Sequence, residues 1–380
     1  MIVSGRVVTP DRVVDGYGRV DGDRIVEVGA GAGGTNVIVP GFVDIHCHGG
    51  GGHTLTTGDP EAARAAAGFH LRHGTTTVLA SLVSSPYPLM RAATEAFAPL
   101  VGEGVLAGIH FEGPYLSAAR CGAQNPEHLR DPSTEELTEL VALGRGGFRM
   151  MTIAPERAGA LAAIRLLAAH GVAAAVGHTD ATYAQTREAV AAGARVATHL
   201  CNAMRPVHHR EPGPIVALLG ADSVVCELIA DGTHLHDGML GFAAATAGPG
   251  RTALVTDAID AAGMPDGAYE LGGQSVVVAD RVARLATADG APGAIAGSTL
   301  TMDAALRRAV GAGVSLVDAA RMAATTPARV LGLAGVLGSL VPGRRADLVE
   351  LDPDLRVHRV MRAGRWLDAR PRPGSPAPTG

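Results

Sequence analysis

The chain has 380 residues and contains no lysine; all 32 of its side-chain cations besides histidine are arginine. Cysteine is also scarce. Cys47, Cys121, Cys201 and Cys226 make no C-x-x-C pair and no dense spacing, which excludes a disulfide scaffold and a small zinc module. Aromatic residues are 3% of the chain, with a single Trp. Charged residues are 18% and the net charge is −5, with Arg scattered throughout. That balance argues against a nucleic-acid or membrane-surface partner. No apolar run reaches membrane-spanning length, and the Ala-rich stretch from Ala158 is broken by Arg165 and His170. The first residues, MIVSGRVVTP, lack the basic-then-apolar pattern of a leader. A reduced, cytoplasmic protein is expected. The bias to Ala, Gly and Arg is that of a GC-rich genome and carries no functional information.

What is present is a large globular composition, 47% apolar with 51 Gly and 23 Pro. Residues 1–40 read as short β runs, at 2–8 and 25–28, with turn chemistry at Asp21-Gly22-Asp23. Residues 335–370 read the same way, cut by Pro342-Gly343, Asp352-Pro353 and Ala363-Gly364. The two ends are expected to meet as one small β-sandwich domain, followed by a loose, proline-rich tail at 371–380. The middle, 41–334, alternates. Apolar strand-like runs occur at 42–45, 76–82, 106–111, 150–153, 173–176, 196–198, 224–229 and 253–256. Helical segments separate most of them. The clearest covers 59–73, with Asp59 as N-cap, Pro60 in the first turn and Gly74 as the stop; another covers 182–192, ending at Gly193. Eight apolar strands alternating with helices over this length predict an α/β fold, a (β/α)8 TIM-type barrel.

In such a barrel the carboxyl ends of the strands share one face, and that face carries the active site. Residues with chemistry recur there. The first strand runs into His46-Cys47-His48, the third into Glu112, the fifth into His178 and the sixth into His199. The seventh is followed by Asp231 and His234, and the eighth by Asp257. His46 and His48 lie two apart on a strand, so both point the same way. Two imidazoles and one carboxylate form a catalytic zinc set with a position open for water, and Asp257 would stand near that water. One histidine at one strand end reads as a hydrogen-bonded polar residue; six such residues at successive strand ends read as a pocket. A structural zinc site would more usually be closed by four ligands, mostly Cys.

These residues carry a family resemblance. The chain resembles the amidohydrolase superfamily and, within it, the N-acetylglucosamine-6-phosphate deacetylase family. The segments are PGFVDIHCHG at 40–49, HFEGPYL at 110–116, GHTDA at 177–181, THLCNAM at 198–204, HHREPG at 208–213, ADGTHL at 230–235, VTDAI at 255–259 and IAGSTLTM at 295–302. The paired histidines alone are shared widely; the EGP, NAM and REPG segments are far more specific. The missing lysine agrees, because dihydroorotase- and hydantoinase-like members use a carboxylated lysine bridge and this family uses a Glu.

The resemblance implies that Glu112, His178 and His199 hold the principal divalent metal, zinc first and Fe, Co or Mn as alternatives. His46 and His48 match a second metal position, so one or two ions per subunit are expected. It implies that His234 polarises the acetamido carbonyl and that Asp257 is general base and then general acid. Asn202, Ala203 and Arg210 would hold the sugar phosphate. Ala123 and Gln124 would sit on a substrate-contacting loop, Ile295, Ala296 and Gly297 would line the sugar pocket, and Asp231 with His234 would form the other wall. The implied activity is hydrolysis of N-acetylglucosamine 6-phosphate to glucosamine 6-phosphate and acetate, in amino-sugar and cell-wall recycling. The implied partner is a small amino-sugar phosphate, and the implied assembly is a homodimer. Two other readings stay open: another amidohydrolase, such as a deaminase or an N-acyl amino acid deacylase, and a non-catalytic barrel scaffold. His53, His70, His73, His128, His170 and His358 fall outside the strand-end pattern and read as packing or surface residues, as does Cys121 on the loop after Glu112.

Overall fold

A computed structural model describes residues 1–367; the expected tail at 371–380 lies outside the described residues. The chain starts in a sheet. Strands β1 (Ile2–Val8), β2 (Val13–Asp21), β3 (Arg24–Ala30) and β4 (Val37–Pro40) are joined by β18 (Leu348–Leu351), β19 (Val357–Arg362) and β20 (Arg365–Trp366) from the other end. They form one seven-stranded mixed sheet in the order β20-β19-β18-β4-β1-β2-β3. Val3, Val7, Ile25, Ile38, Leu348 and Met361 make its own apolar cluster, while Val37, Val39 and Val349 on its other face join the main core. The alternation of buried and exposed positions along β1 is what a sheet covered on one face requires.

β4 leads through Gly41 straight into the barrel. A Cβ at Gly41 would lie 2.3 Å from Thr76 Oγ1, so only glycine lets the chain turn there. The barrel strands are β5 (Phe42–Asp44), β8 (Thr75–Leu82), β9 (Gly108–Glu112), β10 (Phe148–Ile153), β11 (Ala173–Val176), β12 (Val196–Ala197), β13 (Val225–Ile229) and β14 (Thr252–Val255). All eight expected runs are strands, and neighbours pair in parallel in sequence order. Closure occurs just past the ends of β14 and β5: Asp257 N donates to His46 O and His48 N to Ala258 O, each at 2.8 Å. The segment between His46-His48 and the first helix makes a small ribbon, β6 (Gly49–Gly50) with β7 (His53–Thr54).

Helices α1 (Pro60–Arg72), α2 (Tyr87–Gly102), α3 (Thr134–Gly144), α4 (Ala160–Ala169), α5 (Tyr183–Ala192), α6 (Gly213–Leu219), α7 (Asp237–Ala247) and α8 (Met302–Gly311) cover the barrel. Their ends follow local chemistry. Asp59 accepts from Glu61 N to cap α1, and Thr182 with Gln185 forms a full capping box on α5, which stops at Gly193 with φ 117°. One element lies outside the sequence expectation. After β14 the chain inserts an antiparallel ribbon, β15 (Gly267–Leu271), β16 (Gln274–Ala279) and β17 (Val282–Leu285). Its first turn is Gly272-Gly273, both at positive φ, the geometry that matches the twist of a two-residue hairpin. The ribbon lies on the carboxyl face of the barrel and packs Leu271, Val276 and Ala283 against Val83, Ile259 and Ala296.

Candidate active site

The strand ends deliver their polar residues to one centre. Glu112, at the end of β9, stands between two pairs of histidines. Its Oε1 lies 3.1 Å from His178 Nε2 and 2.8 Å from His199 Nε2. On the other side, His48 Nε2 is 3.3 Å from Oε2 and His46 Nε2 3.5 Å from Oε1. All five are buried. His178, His199 and Asp257 have φ of 46°, 27° and 49°, so the chain turns sharply as it leaves each strand and aims the side chain inward. Such left-handed conformations are costly for non-glycine residues and persist where packing over-determines them.

The ring nitrogens show that this set suits cations. His178 Nδ1 donates to Arg120 O at 2.9 Å, His48 Nδ1 to Ser81 O at 3.0 Å and His46 Nδ1 to Glu227 Oε2 at 3.0 Å. With these Nδ1 atoms carrying the proton, Nε2 of His46, His48 and His178 presents a lone pair; His199 Nδ1 has no hydrogen-bond partner. Yet His178 Nε2 faces His199 Nε2, and His46 Nε2 faces His48 Nε2, both at 3.1 Å. Lone pairs converge in this way around a positive charge. Two triads result, His46/His48/Glu112 and Glu112/His178/His199, each with ligand atoms within 4.8 Å of one another and Glu112 common to both. The residues would hold divalent metal in two places, one triad on each side of Glu112.

The electrostatics agree. Positive charge at these positions, whether protons on the imidazoles or a cation they hold, keeps the carboxylates ionised: burial would raise the Glu112 carboxyl, but His46 and His178 outweigh it and hold the group well below its usual range. Burial also opposes the charge on Asp257, and His46 and His48 overcome it; Asp257 Oδ1 lies 3.1 Å from His48 Nε2. His234 is buried as well, which disfavours its cation. The Asp231 carboxylate, accepting from His234 Nδ1 at 2.7 Å, outweighs that and holds His234 above its usual value.

These groups floor a cleft of about 250 Å3. Its walls include Gly122, Ala123 and Gln124 on the loop after β9, Asn202 and Ala203 after β12, His234 after β13, and Ile295 and Gly297 beyond the ribbon. Val83 and Leu271 supply an apolar patch. Three of the expected substrate residues stand elsewhere. Asp231 lies behind His234 as its partner, accepting also from the backbone N–H of Thr233 and His234. Ala296 is fully buried in the apolar cluster beneath the ribbon. Arg210 is exposed on the loop after Ala203, where its guanidinium meets His209 at 2.8 Å, and it does not line the cleft. Gln124 does more than line the wall. Its Nε2 donates to Glu112 Oε2 at 2.7 Å while its Oε1 accepts from Ser84 N, which fixes the orientation of the shared carboxylate.

Sequence reasoning missed Glu227. It is wholly buried inside β13, where Oε2 accepts from both His46 Nδ1 and His199 N. Its signal was a lone charge in the middle of the apolar run VCELI. Of the residues read as packing groups, His70 is buried with Nε2 against Gly49 O and Cys47 Sγ, and burial pushes it down to about 4, so it is neutral. Cys47 thus faces away from the histidine cluster. His236, near the site in sequence, caps α7.

Comparison with known proteins agrees with this geometry. The amidohydrolase family model matches residues 37–367. An N-acetylgalactosamine-6-phosphate deacetylase of Escherichia coli O157:H7 is 39% identical over 334 residues, covering 87% of each chain. An N-acetylglucosamine-6-phosphate deacetylase of Lysinibacillus sphaericus is 36% identical, over 86% of this chain and 84% of that one. Among solved structures, a mutant N-acetyl-D-glucosamine-6-phosphate deacetylase from Mycobacterium smegmatis, in complex with N-acetyl-D-glucosamine-6-phosphate, superposes with a TM-score of 0.92 at 45% identity. It covers 96% of this chain and 98% of its own. By sequence, fold and the His/Glu site together, the chain belongs to the amidohydrolase family, among the N-acetylglucosamine-6-phosphate deacetylases.

Proposed function

We propose that this chain hydrolyses the acetamide of N-acetylglucosamine 6-phosphate, releasing glucosamine 6-phosphate and acetate, in amino-sugar and cell-wall recycling. The observation that carries the reading is the convergence of Glu112, His178 and His199 beside Asp257 and His234 in one cleft. Amide hydrolysis needs a water nucleophile, a stabilised oxyanion and a proton for the leaving amine. A divalent metal held by Glu112, His178 and His199, with His46 and His48 for a second, supplies Lewis acidity and lowers the pKa of water. Zinc is the metal we assign, since imidazole and carboxylate ligands suit it. The ionised Asp257 carboxylate takes the proton from water and returns it to the amine nitrogen. Protonated His234, held by Asp231, presents Nε2–H to the carbonyl oxygen as it becomes an oxyanion. Asn202, Ala203, Ala123 and Gln124 orient the sugar from one side, and Ile295 and Gly297 shape the other, with Ala296 packed behind them. Arg210 is kept as the phosphate's partner on chemistry alone, since guanidinium offers a planar fork of donors; standing outside the cleft, it would meet the phosphate beyond the cleft mouth.

The reading includes a cytoplasmic homodimer. No helix among the described residues is long and apolar enough to cross a membrane. Val216 on α6 and Met239 and Phe242 on α7 are exposed on neighbouring helices, a surface suited to a second copy. A galactosamine preference is a second reading, favoured by the 39% identity to the E. coli relative. Measuring kcat/KM on the two N-acetylhexosamine 6-phosphates and on unphosphorylated N-acetylglucosamine tests the assignment. We expect the gluco phosphate to be preferred over both others. Equal turnover of the unphosphorylated sugar contradicts a phosphate anchor, and a galacto preference moves the substrate to the second reading.

A further inference from the structure

The GHTDA segment supplies His178, but its aspartate lies outside the reaction described above. Asp180 sits two residues beyond His178, between two of the loops that wall the cleft. One carboxylate oxygen, Oδ1, accepts from Arg120 Nε and Nη2, each at 2.8 Å. The other, Oδ2, accepts from Arg205 Nη2 at 2.8 Å. The two arginines belong to different loops, and both loops wall the cleft. Arg120 precedes Gly122, Ala123 and Gln124; Arg205 follows Asn202 and Ala203. Asp180 is itself anchored, because its backbone N donates to Glu156 Oε1 at 2.6 Å.

The loop carrying Arg120 needs such a tie. Ser117 N holds the start of the loop to His178 O at 3.0 Å, and Ala123 and Gln124 pack at its end, but the turn between them, Ala118–Arg120, buries no residue and is left to polar ties. Yet the Arg120 carbonyl must stay within hydrogen-bond reach of His178 Nδ1, since that bond keeps the proton on Nδ1 and leaves Nε2 facing Glu112. The loop carrying Arg205 is registered against the same segment. Thr179 N donates to Ala203 O and Arg205 N to Thr179 O, both at 3.0 Å, and Ala203 is held at φ 49°. One carboxylate therefore joins the two sides of the cleft and the backbone that orients a metal-binding histidine.

We propose that Asp180 is a positioning residue: by clasping Arg120 and Arg205 it holds the His178 imidazole and the Ala203 wall in working register. The effect on stability is small, because a partly exposed ion pair contributes little to folding. The effect on the metal is larger, because groups that orient a ligand typically change metal affinity 10–100-fold. The substrate arm of the test rests on the deacetylase reading; the metal and exchange arms do not.

The test compares wild type with Asp180→Asn, Arg120→Gln, Arg205→Gln and the double variant Asp180→Asn/Arg120→Gln, each loaded with Zn2+. Four quantities are read: zinc loss to EDTA, amide hydrogen exchange over 117–124, KM and kcat on N-acetylglucosamine 6-phosphate, and Tm. We expect Asp180→Asn and Arg120→Gln to lose zinc about tenfold faster and to exchange faster over 117–124, with Tm almost unchanged. The double variant should be no worse than the poorer single, since both break one link. Arg205→Gln should keep wild-type zinc retention and raise KM. Wild-type exchange and zinc retention in Asp180→Asn would overturn the proposal. So would effects that multiply in the double variant, or losses that track a general fall in Tm. Failure of wild type to turn over the sugar phosphate would count against the substrate assignment alone, leaving the zinc and exchange arms to decide the clasp.

Discussion

In the reaction proposed above, His234 donates to the oxyanion, and Asp231 behind it, accepting from Nδ1, holds the imidazole in its donor form. The sign of that dependence is fixed: the carboxylate raises the imidazole above its usual value, so the donor form exists below the raised pKa and is lost as pH rises through it. Asp231→Asn removes the charge and lets burial prevail. The alkaline limb of kcat/KM should move to lower pH, with activity above neutrality falling by about 10²–10³, the usual cost of one oxyanion donor. A pH–rate profile checks this. Glu227→Ala leaves His46 Nδ1 and His199 N without an acceptor, at about 1–3 kcal/mol each. Zinc affinity should fall about 10–100-fold, measured by chelator competition. These two acids were unequally legible. Asp231 was visible because strand ends are where barrel chemistry gathers. Glu227 was not, because it works from inside a strand and reaches the site only through the imidazole it orients.

The elements around the site carry their own instructions. Helix caps at Asp59 and Thr182 could be read directly, since a capping side chain acts within three residues of itself. The ribbon β15–β17 was missed although Gly272-Gly273 marks its turn; its strands are short and half exposed, and they interrupt the barrel alternation. Gly272→Val would test its part in the cleft. A Cβ there meets Val83 Cγ2 at 2.5 Å, and φ is 57°. Leu271 and Val83 both line the cleft, so KM should rise several-fold with a smaller change in kcat. At the barrel seam, His73 after α1 and Arg307 on α8 both reach Asp303, at 3.2 and 2.7 Å. Burial would raise the Asp303 carboxyl, but His73, Thr301 and Arg307 bring it well below its usual range. A depressed carboxylate stabilises the fold above its unfolded pKa and loses that contribution as pH falls. Asp303→Asn should therefore cost about 1–3 kcal/mol near neutrality and only moderately less near pH 3, where the depressed carboxyl is still ionised, read from denaturant melts at both values.

At the scale of the molecule, the barrel was legible because parallel strands buried on both faces read as unbroken apolar runs, and eight of them can be counted. The joining of the two ends was legible only as a likeness of composition. Nothing local in β4 or β18 specifies that Leu348 pairs with Pro40, and that pairing is set by where the barrel returns the chain. The cleft itself could not be derived from residue types: it excludes Ala296, which lies between two lining residues, and Arg210, which belongs to the loop that follows Ala203. The central claim is that a metal-holding cluster and the Asp257 carboxylate act together on an amide. Its most direct test measures turnover of N-acetylglucosamine 6-phosphate and bound metal on the same samples of wild type and Asp257→Asn. The expected result is equal metal content with turnover lower by about 10²–10⁴ in the variant. A variant that keeps its metal and its turnover would contradict the account.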